Sequence, residues 1–204
     1  MPFTLSHAAL AVPLARRLGL PLSPLVIGSF SPDFPIFVFP FSDALRRSIY
    51  AFTHSWLGCA LFGLVAGMAA LYLFHAHLKG PMIRALPPAI QQRLAPHAGP
   101  YSFAPGRGLL LTLLALLLGA WSHLFWDSFT HHWGFFVNAF PLLKTRLLVL
   151  PEWDYTLHVY KLLQHVSSLG GLALLGVWIQ RWLRQEASPN LDASPDDPLG
   201  ETAG

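Results

Sequence analysis

Acidic residues are almost missing from the first three-quarters of the chain. Before residue 150 there are three carboxylates, Asp33, Asp43 and Asp127. Charged residues of both signs make up 11% of the 204, against roughly a quarter in soluble domains. So few charges exclude an ordinary solvated surface. Cysteine is equally scarce. Cys59 stands alone, so no disulfide forms within the chain and the redox compartment stays open. The net charge of +3 is not gathered into a basic stripe, which argues against a nucleic-acid partner. The opening "MPFTLSHAAL" lacks a positive n-region and a small-residue cleavage site, so it does not read as a signal peptide. No internal repeat is visible.

What is abundant is apolar bulk: 53% hydrophobic residues, with fifteen Phe and seven Trp. A bilayer span takes about 20 mainly apolar residues. Residues 48–78 and 108–126 carry no Asp, Glu, Lys or Arg and meet that requirement. Residues 162–180 are a third such run, flanked by Lys161 and Arg181, whose long stems can snorkel. Two further apolar stretches are broken. Residues 21–41 hold Pro21, Pro24, Pro32, Pro35 and Pro40, with Asp33 among them; residues 133–150 are interrupted by Asn138, Pro141, Lys144 and Arg146. Proline this dense opposes one regular helix. Irregular backbone at membrane depth survives only when packed in protein or lining a cavity. The expected fold is therefore an all-α polytopic membrane bundle. It has three clear spans plus one or two Pro-broken or re-entrant segments over residues 1–184, then a disordered acidic tail over 185–204. A short N-terminal helix is expected, with Ser6 as its N-cap, Pro13 as a kink and Arg16 and Arg17 at its end.

The segment 79–107 contains Lys79, Arg84, Arg93 and Arg107 and no acid, so the positive-inside rule places it in the cytoplasm. Arg181 and Arg184 agree. The opposite ends of the spans then carry His54, the stretch from His123 to His131, and His165. Arg16, Arg17, Arg46 and Arg47 speak against this orientation, since they would fall on or near the outer side.

A carboxylate within hydrocarbon costs at least about 2.5–3.5 kcal/mol, which makes an intramembrane acid a functional candidate. Asp127 sits in "WSHLFWDSFTHH", four residues from both His123 and His131. On a helix these share one face and span about 12 Å. That is too far for one ion to take all three, but adjacent pairs can share one. Other ligands would come from His54, Asp33 or His7. His75, His77, His97, His132 and His158 read as hydrogen-bonded interface residues. The ladder itself also reads as a His–Asp bridge between helices, and Ser-Pro-Asp at Asp33 also reads as a turn.

The segments "MPFTLSH", "VIGSFSPDFP", "FTHSWLG", "SHLFWDSFTH" and "YKLLQHVSSLGG" together resemble a bacterial membrane-protein domain family of unknown function whose members open M-P-F-T-x-S-H. That family is similar to the YdjM-type membrane-bound metal-dependent hydrolases. The resemblance implies metal ligands at His7, Asp33, His54, His123 and Asp127, with Thr130 following the last motif. It implies a divalent metal, Zn before Mn or Fe, and a bacterial inner-membrane location. Two relatives' positions differ here: Pro35 stands for a second Asp, and Ile49, Tyr50 and Ala51 stand for His-Arg-Gly. Residues that serve a second metal or acid–base work in the relatives are thus not carried over, and His131 and His165 are the candidates to replace them. The expected function is hydrolysis of a lipid-like ester or phosphoester at a membrane face. The alternative is a non-enzymatic membrane protein whose His/Asp cluster bridges helices or relays ions or protons.

Overall fold

The computed structural model describes residues 4–38, 43–103 and 105–184; the tail expected over 185–204 lies outside the described residues. The chain enters through a 3-10 turn, Thr4–His7, that runs directly into α1 (Ala8–Leu18). His7 already has helical dihedrals, so no extended N-cap position exists for Ser6 to occupy. Ser6 is instead packed against Gly171. Pro13 lies inside α1. Gly19, at φ 62°, closes α1 by returning its N–H to the Ala15 carbonyl, a left-handed cap that a side chain would strain. The chain then reverses into α2 (Leu22–Phe30), a 3-10 turn Ser31–Asp33, and α3 (Phe34–Val38). The proline-rich stretch is thus interrupted, as its composition requires.

Residues 48–78 do not form one helix. α4 (Asp43–Thr53) stops, the chain turns at His54, and α5 (Trp56–Leu73) begins again. Ser55 is extended and its hydroxyl accepts from the Gly58 N–H at 3.1 Å, an N-cap strong enough to set the break. α5 continues through a π-helical turn, Phe74–Leu78, into α6 (Lys79–Arg84). A short α7 (Pro88–Leu94) precedes the long α8 (Arg107–Thr130). Among the described residues, three helical runs are long and apolar enough to cross a membrane: Trp56–Arg84, Arg107–Ala139 and Val159–Arg184.

Residues 133–150 differ from the expected packed or re-entrant segment. After α9 (Phe135–Ala139) and a 3-10 turn, β1 (Arg146–Leu150) pairs antiparallel with β2 (Tyr155–His158). A hairpin satisfies its backbone polar groups by local pairing, so it needs no burial, and every β1 residue is exposed. α10 (Val159–Arg184) follows directly.

The core is built on close backbone approach. α2 crosses α8 where a Cβ on Gly28 would collide with the Leu116 carbonyl, and one on Gly119 with the Leu25 carbonyl and the Ser29 amide. Small residues at a crossing are how membrane helices approach closely. Leu25, Ala115, Leu116 and Ala120 are fully buried there. α10 lies at the periphery, and Gly171 is its one buried residue.

The basic residues sort differently from expectation. α1 points away from His7, and Arg16 ends beside Arg181, both lining one cleft. Arg93 donates to the Trp182 carbonyl at 3.1 Å, so residue 93 and the end of α10 share one face. Arg16 therefore joins the basic end rather than opposing it. Arg46 and Arg47 remain exposed on α4, the helix that leads to His54.

Candidate metal centre

Five side chains from four separate segments meet at one buried point. His7 comes from the N-terminal turn and Asp33 from the 3-10 turn after α2. His54 comes from the break before α5, and His123 and Asp127 from the last two turns of α8. The relative exposures of Asp33 and Asp127 are 1% and 2%, and the His54 side chain is 3% exposed. His123 Nε2 is 3.3 Å from Asp127 Oδ2 and 3.8 Å from Asp33 Oδ1. His54 Nε2 is 3.5 Å from Asp33 Oδ1 and 3.8 Å from Asp127 Oδ2. His7 Nε2 is 3.6 Å from Asp127 Oδ1. Two triads, His7–His123–Asp127 and Asp33–His54–His123, each have ligand atoms within 4.8 Å of one another, and they share His123.

These separations discriminate between two uses of the cluster. Hydrogen bonds from nitrogen to oxygen run about 2.7–3.2 Å. The His–Asp contacts are all longer, and Nε2 of His7, His54 and His123, with Oδ1 of Asp33 and Asp127, are buried without a hydrogen-bond partner. Ligands each about 2.0–2.2 Å from one ion stand roughly 3–4 Å apart. The spacing matches donors arranged around a central cation and is too wide for direct bridging.

The surroundings fix the tautomers. His123 Nδ1 lies 2.8 Å from the Ser29 carbonyl, and His54 Nδ1 lies 3.1 Å from the Tyr50 carbonyl. A carbonyl only accepts, so each Nδ1 carries a hydrogen and Nε2 is the ring nitrogen turned to the centre, the usual outer arrangement of a metal-bound histidine. Thr4 donates its hydroxyl to Asp33 Oδ2 at 2.7 Å, leaving Oδ1 facing inward. Burial, together with the His123 ring beside it, pushes His7 down to about 3, so its imidazole is neutral near pH 7. Burial pushes the Asp33 carboxyl up, and the Thr4 hydroxyl donated to Oδ2 works the other way, favouring the ionised form. Neutral imidazoles and ionised carboxylates are the forms that bind metals.

Aromatic rings close the outer side. Tyr50 stacks on His54 with ring centres 3.7 Å apart, and Trp133 meets His54 edge-on at 5.7 Å. Beyond them, His54, Trp56, Ser128, Trp133 and Phe136 line a cavity of about 540 Å³. His7 borders a separate apolar groove of about 350 Å³.

His131 adjoins the centre but does not continue the helical ladder. α8 ends at Thr130, and His131 is extended at φ −119°, ψ 142°. Its Nδ1 is 3.5 Å from Asp127 Oδ1, while its Nε2 is buried without a partner. His165 stands exposed on α10 and belongs to neither triad. Of the five interface histidines, His75 does lie against another segment, with Nε2 3.0 Å from the Ser23 hydroxyl. Thr4, Tyr50, Trp133 and the Ser29 carbonyl were not picked out by the sequence reading. Thr4 lies within the quoted "MPFTLSH", so a signal for it existed; a backbone carbonyl and two stacking rings have none.

No curated protein and no solved structure matches the chain. A family described as a domain of unknown function (DUF4184) matches residues 1–198, and the chain belongs to that family.

Proposed function

We propose that this protein is a membrane-bound, metal-dependent hydrolase of the bacterial plasma membrane, with one divalent ion held by His7, Asp33, His54, His123 and Asp127. The observation that carries the reading is the set of five inward-facing ligand atoms, all buried and none hydrogen-bonded. Three imidazole nitrogens and two carboxylates suit Zn²⁺, with Mn²⁺ or Fe²⁺ next, and no thiolate is among them to favour softer metals. The motif resemblance to the YdjM-type hydrolases points the same way. When bound, such an ion polarises a carbonyl or phosphoryl oxygen and activates a water near neutral pH.

The chain's own residues have distinct tasks. Ser29 and Tyr50 orient His123 and His54 through their carbonyls, and Thr4 orients Asp33. Tyr50 and Trp133 restrict water on the His54 side. His131, with Nδ1 3.5 Å from Asp127 Oδ1 and Nε2 buried, is the residue we assign to proton transfer, a task for which the relatives' second Asp is absent here. The position of the centre at the ends of α5 and α8 suits a lipid-like ester or phosphoester.

The test is elemental analysis of protein purified without a histidine tag. The expected result is one divalent ion per chain, lost on replacing His123 or Asp33 by alanine. A monodisperse parent free of metal, and unable to take up Zn²⁺, Mn²⁺ or Fe²⁺, would remove the basis of the reading.

A further inference from the structure

The groove that reaches His7 has no role in holding the five ligands. It runs between the N-terminal segment and α10, walled by Leu10, Trp126, Leu163, Val166 and Leu174, with Ser6 and His7 lining it beside Gly171. We infer that this groove holds one hydrocarbon chain of a lipid, whose ester or phosphoester group lies at the His7 end of the metal centre. The chemistry rests on the hydrolase reading; the groove and its occupant do not.

Three observations identify the occupant. The first is continuity. His7 both lines the groove and places its Nε2 3.6 Å from Asp127, so a molecule in the groove lies against one of the five ligand residues. The second is what lies outside. α10 is long and apolar enough to cross a membrane and only 6% of its apolar window is buried. A groove along such a helix opens sideways into hydrocarbon, where the available molecules are lipid chains. The third is length. From Leu163 to Leu174 the wall rises about 16 Å at 1.5 Å per residue, close to the hydrocarbon depth of one leaflet, about 15 Å, half of a core about 30 Å thick.

Two adjacent glycines make the groove. Gly171 is where the N-terminal turn seats on α10, since a Cβ there would strike Ser6. Gly170 has nothing within 4 Å and lines the groove. It takes no part in packing; its missing side chain is groove volume. The same helix thus anchors at one glycine and stays open at the next.

The experiment compares the parent with Gly170→Phe, which fills the groove, and Val166→Trp, which fills it from the preceding turn. Each is purified in mild detergent. Bound phospholipid is measured by native mass spectrometry and metal by elemental analysis. Hydrolysis is followed on phosphatidylglycerol vesicles and on water-soluble bis-p-nitrophenyl phosphate. The expected result is at least a tenfold fall in retained lipid and in vesicle-lipid cleavage in both variants, with metal content and cleavage of the soluble probe unchanged. Undiminished lipid retention in both variants would overturn the inference, as would a lipid-free parent that dimerises through α10, because a second copy would then fill the groove. If the parent holds metal but cleaves neither probe, the hydrolase reading falls, and lipid retention alone decides the groove.

Discussion

Replacing Asp127 by asparagine separates a metal ligand from a helix bridge. The side chain sits among four imidazoles: His123 Nε2 at 3.3 Å, His131 Nδ1 at 3.5 Å, His7 Nε2 at 3.6 Å and His54 Nε2 at 3.8 Å. Asparagine keeps the volume and removes the anion. If Asp127 binds the ion, the variant loses affinity by at least the 10–100-fold typical of outer-shell changes. A ligand that binds only the folded state contributes about 2.7 kcal/mol when free metal is a hundredfold above Kd. For a chain of this size one kcal/mol moves Tm by about 2–4 °C. The parent should therefore melt roughly 5–11 °C lower after chelation, combining those two magnitudes. The variant should already melt near the chelated parent and ignore the chelator.

The bridging alternative gives different numbers. An interhelical hydrogen bond in a membrane averages about 0.6 kcal/mol, and asparagine's amide can replace much of it. The variant would then melt within about 1–2 °C of the parent, and neither would respond to chelator. The assay is differential scanning fluorimetry in detergent, run on parent and variant with and without EDTA. A parent whose Tm ignores EDTA, with no metal by elemental analysis, would refute the reasoning.

Other outcomes follow from the packing. Gly119→Ala places a methyl against the Leu25 carbonyl and the Ser29 amide; overpacking costs about 1–3 kcal/mol. Because Ser29 holds His123, metal content should fall as well, measured by the same elemental analysis. Trp133→Ala uncovers His54, so metal should leave faster to an external chelator at unchanged starting content, followed by stopped-flow with a chromogenic chelator; an unchanged rate would deny Trp133 that covering role. Cysteines introduced at Gln92 and Ala187 should both resist an impermeant maleimide in intact cells, and the buried native Cys59 gives little background. Labelling at both would reverse the orientation, and labelling at one would change the number of spans.

The spans and the two buried acids were legible because charge is rare enough in the first 150 residues to be conspicuous; the full set of five was what the motif resemblance implied. Asp33 and Asp127 stand out because almost no other acid precedes residue 150. The break at His54 was less legible, because "FTHSWLG" lies within a charge-free run and hydropathy cannot register a turn. Its signal was Ser55, an N-cap type three residues before Gly58. The hairpin at residues 146–158 was missed because an aliphatic strand and a packed apolar segment have the same composition. His131 lies beside Asp127 as the ladder expects, at 3.5 Å, although α8 stops one residue earlier and His131 itself is extended. Arg16 was misplaced because α1 is too short to register as a crossing, so its direction relative to the spans could not be read from charge.

The electrostatics of the cluster bear on why it exists at all. Two carboxylates buried side by side repel, and burial strips each of bulk water that would stabilise its charge. Direct hydrogen bonds from the histidines would offset part of this, yet the contacts are 3.3–3.8 Å and the inward atoms have no partner. His54 and His123 also spend their Nδ1 hydrogens on backbone carbonyls, so in the neutral form each turns a lone pair toward the carboxylates. Lone pair facing lone pair is unfavourable unless a positive charge lies between them. A divalent cation would offset the carboxylate charges and accept the lone pairs of a triad such as His7, His123 and Asp127. The arrangement therefore predicts that replacing Asp33 and Asp127 together, by asparagine, relieves repulsion in chelated protein while abolishing metal uptake. Without metal the double variant should melt at or above the chelated parent, and with metal well below the loaded parent. A double variant that melts below the chelated parent would show that the two acids stabilise the fold without an ion, and the bridging role would stand.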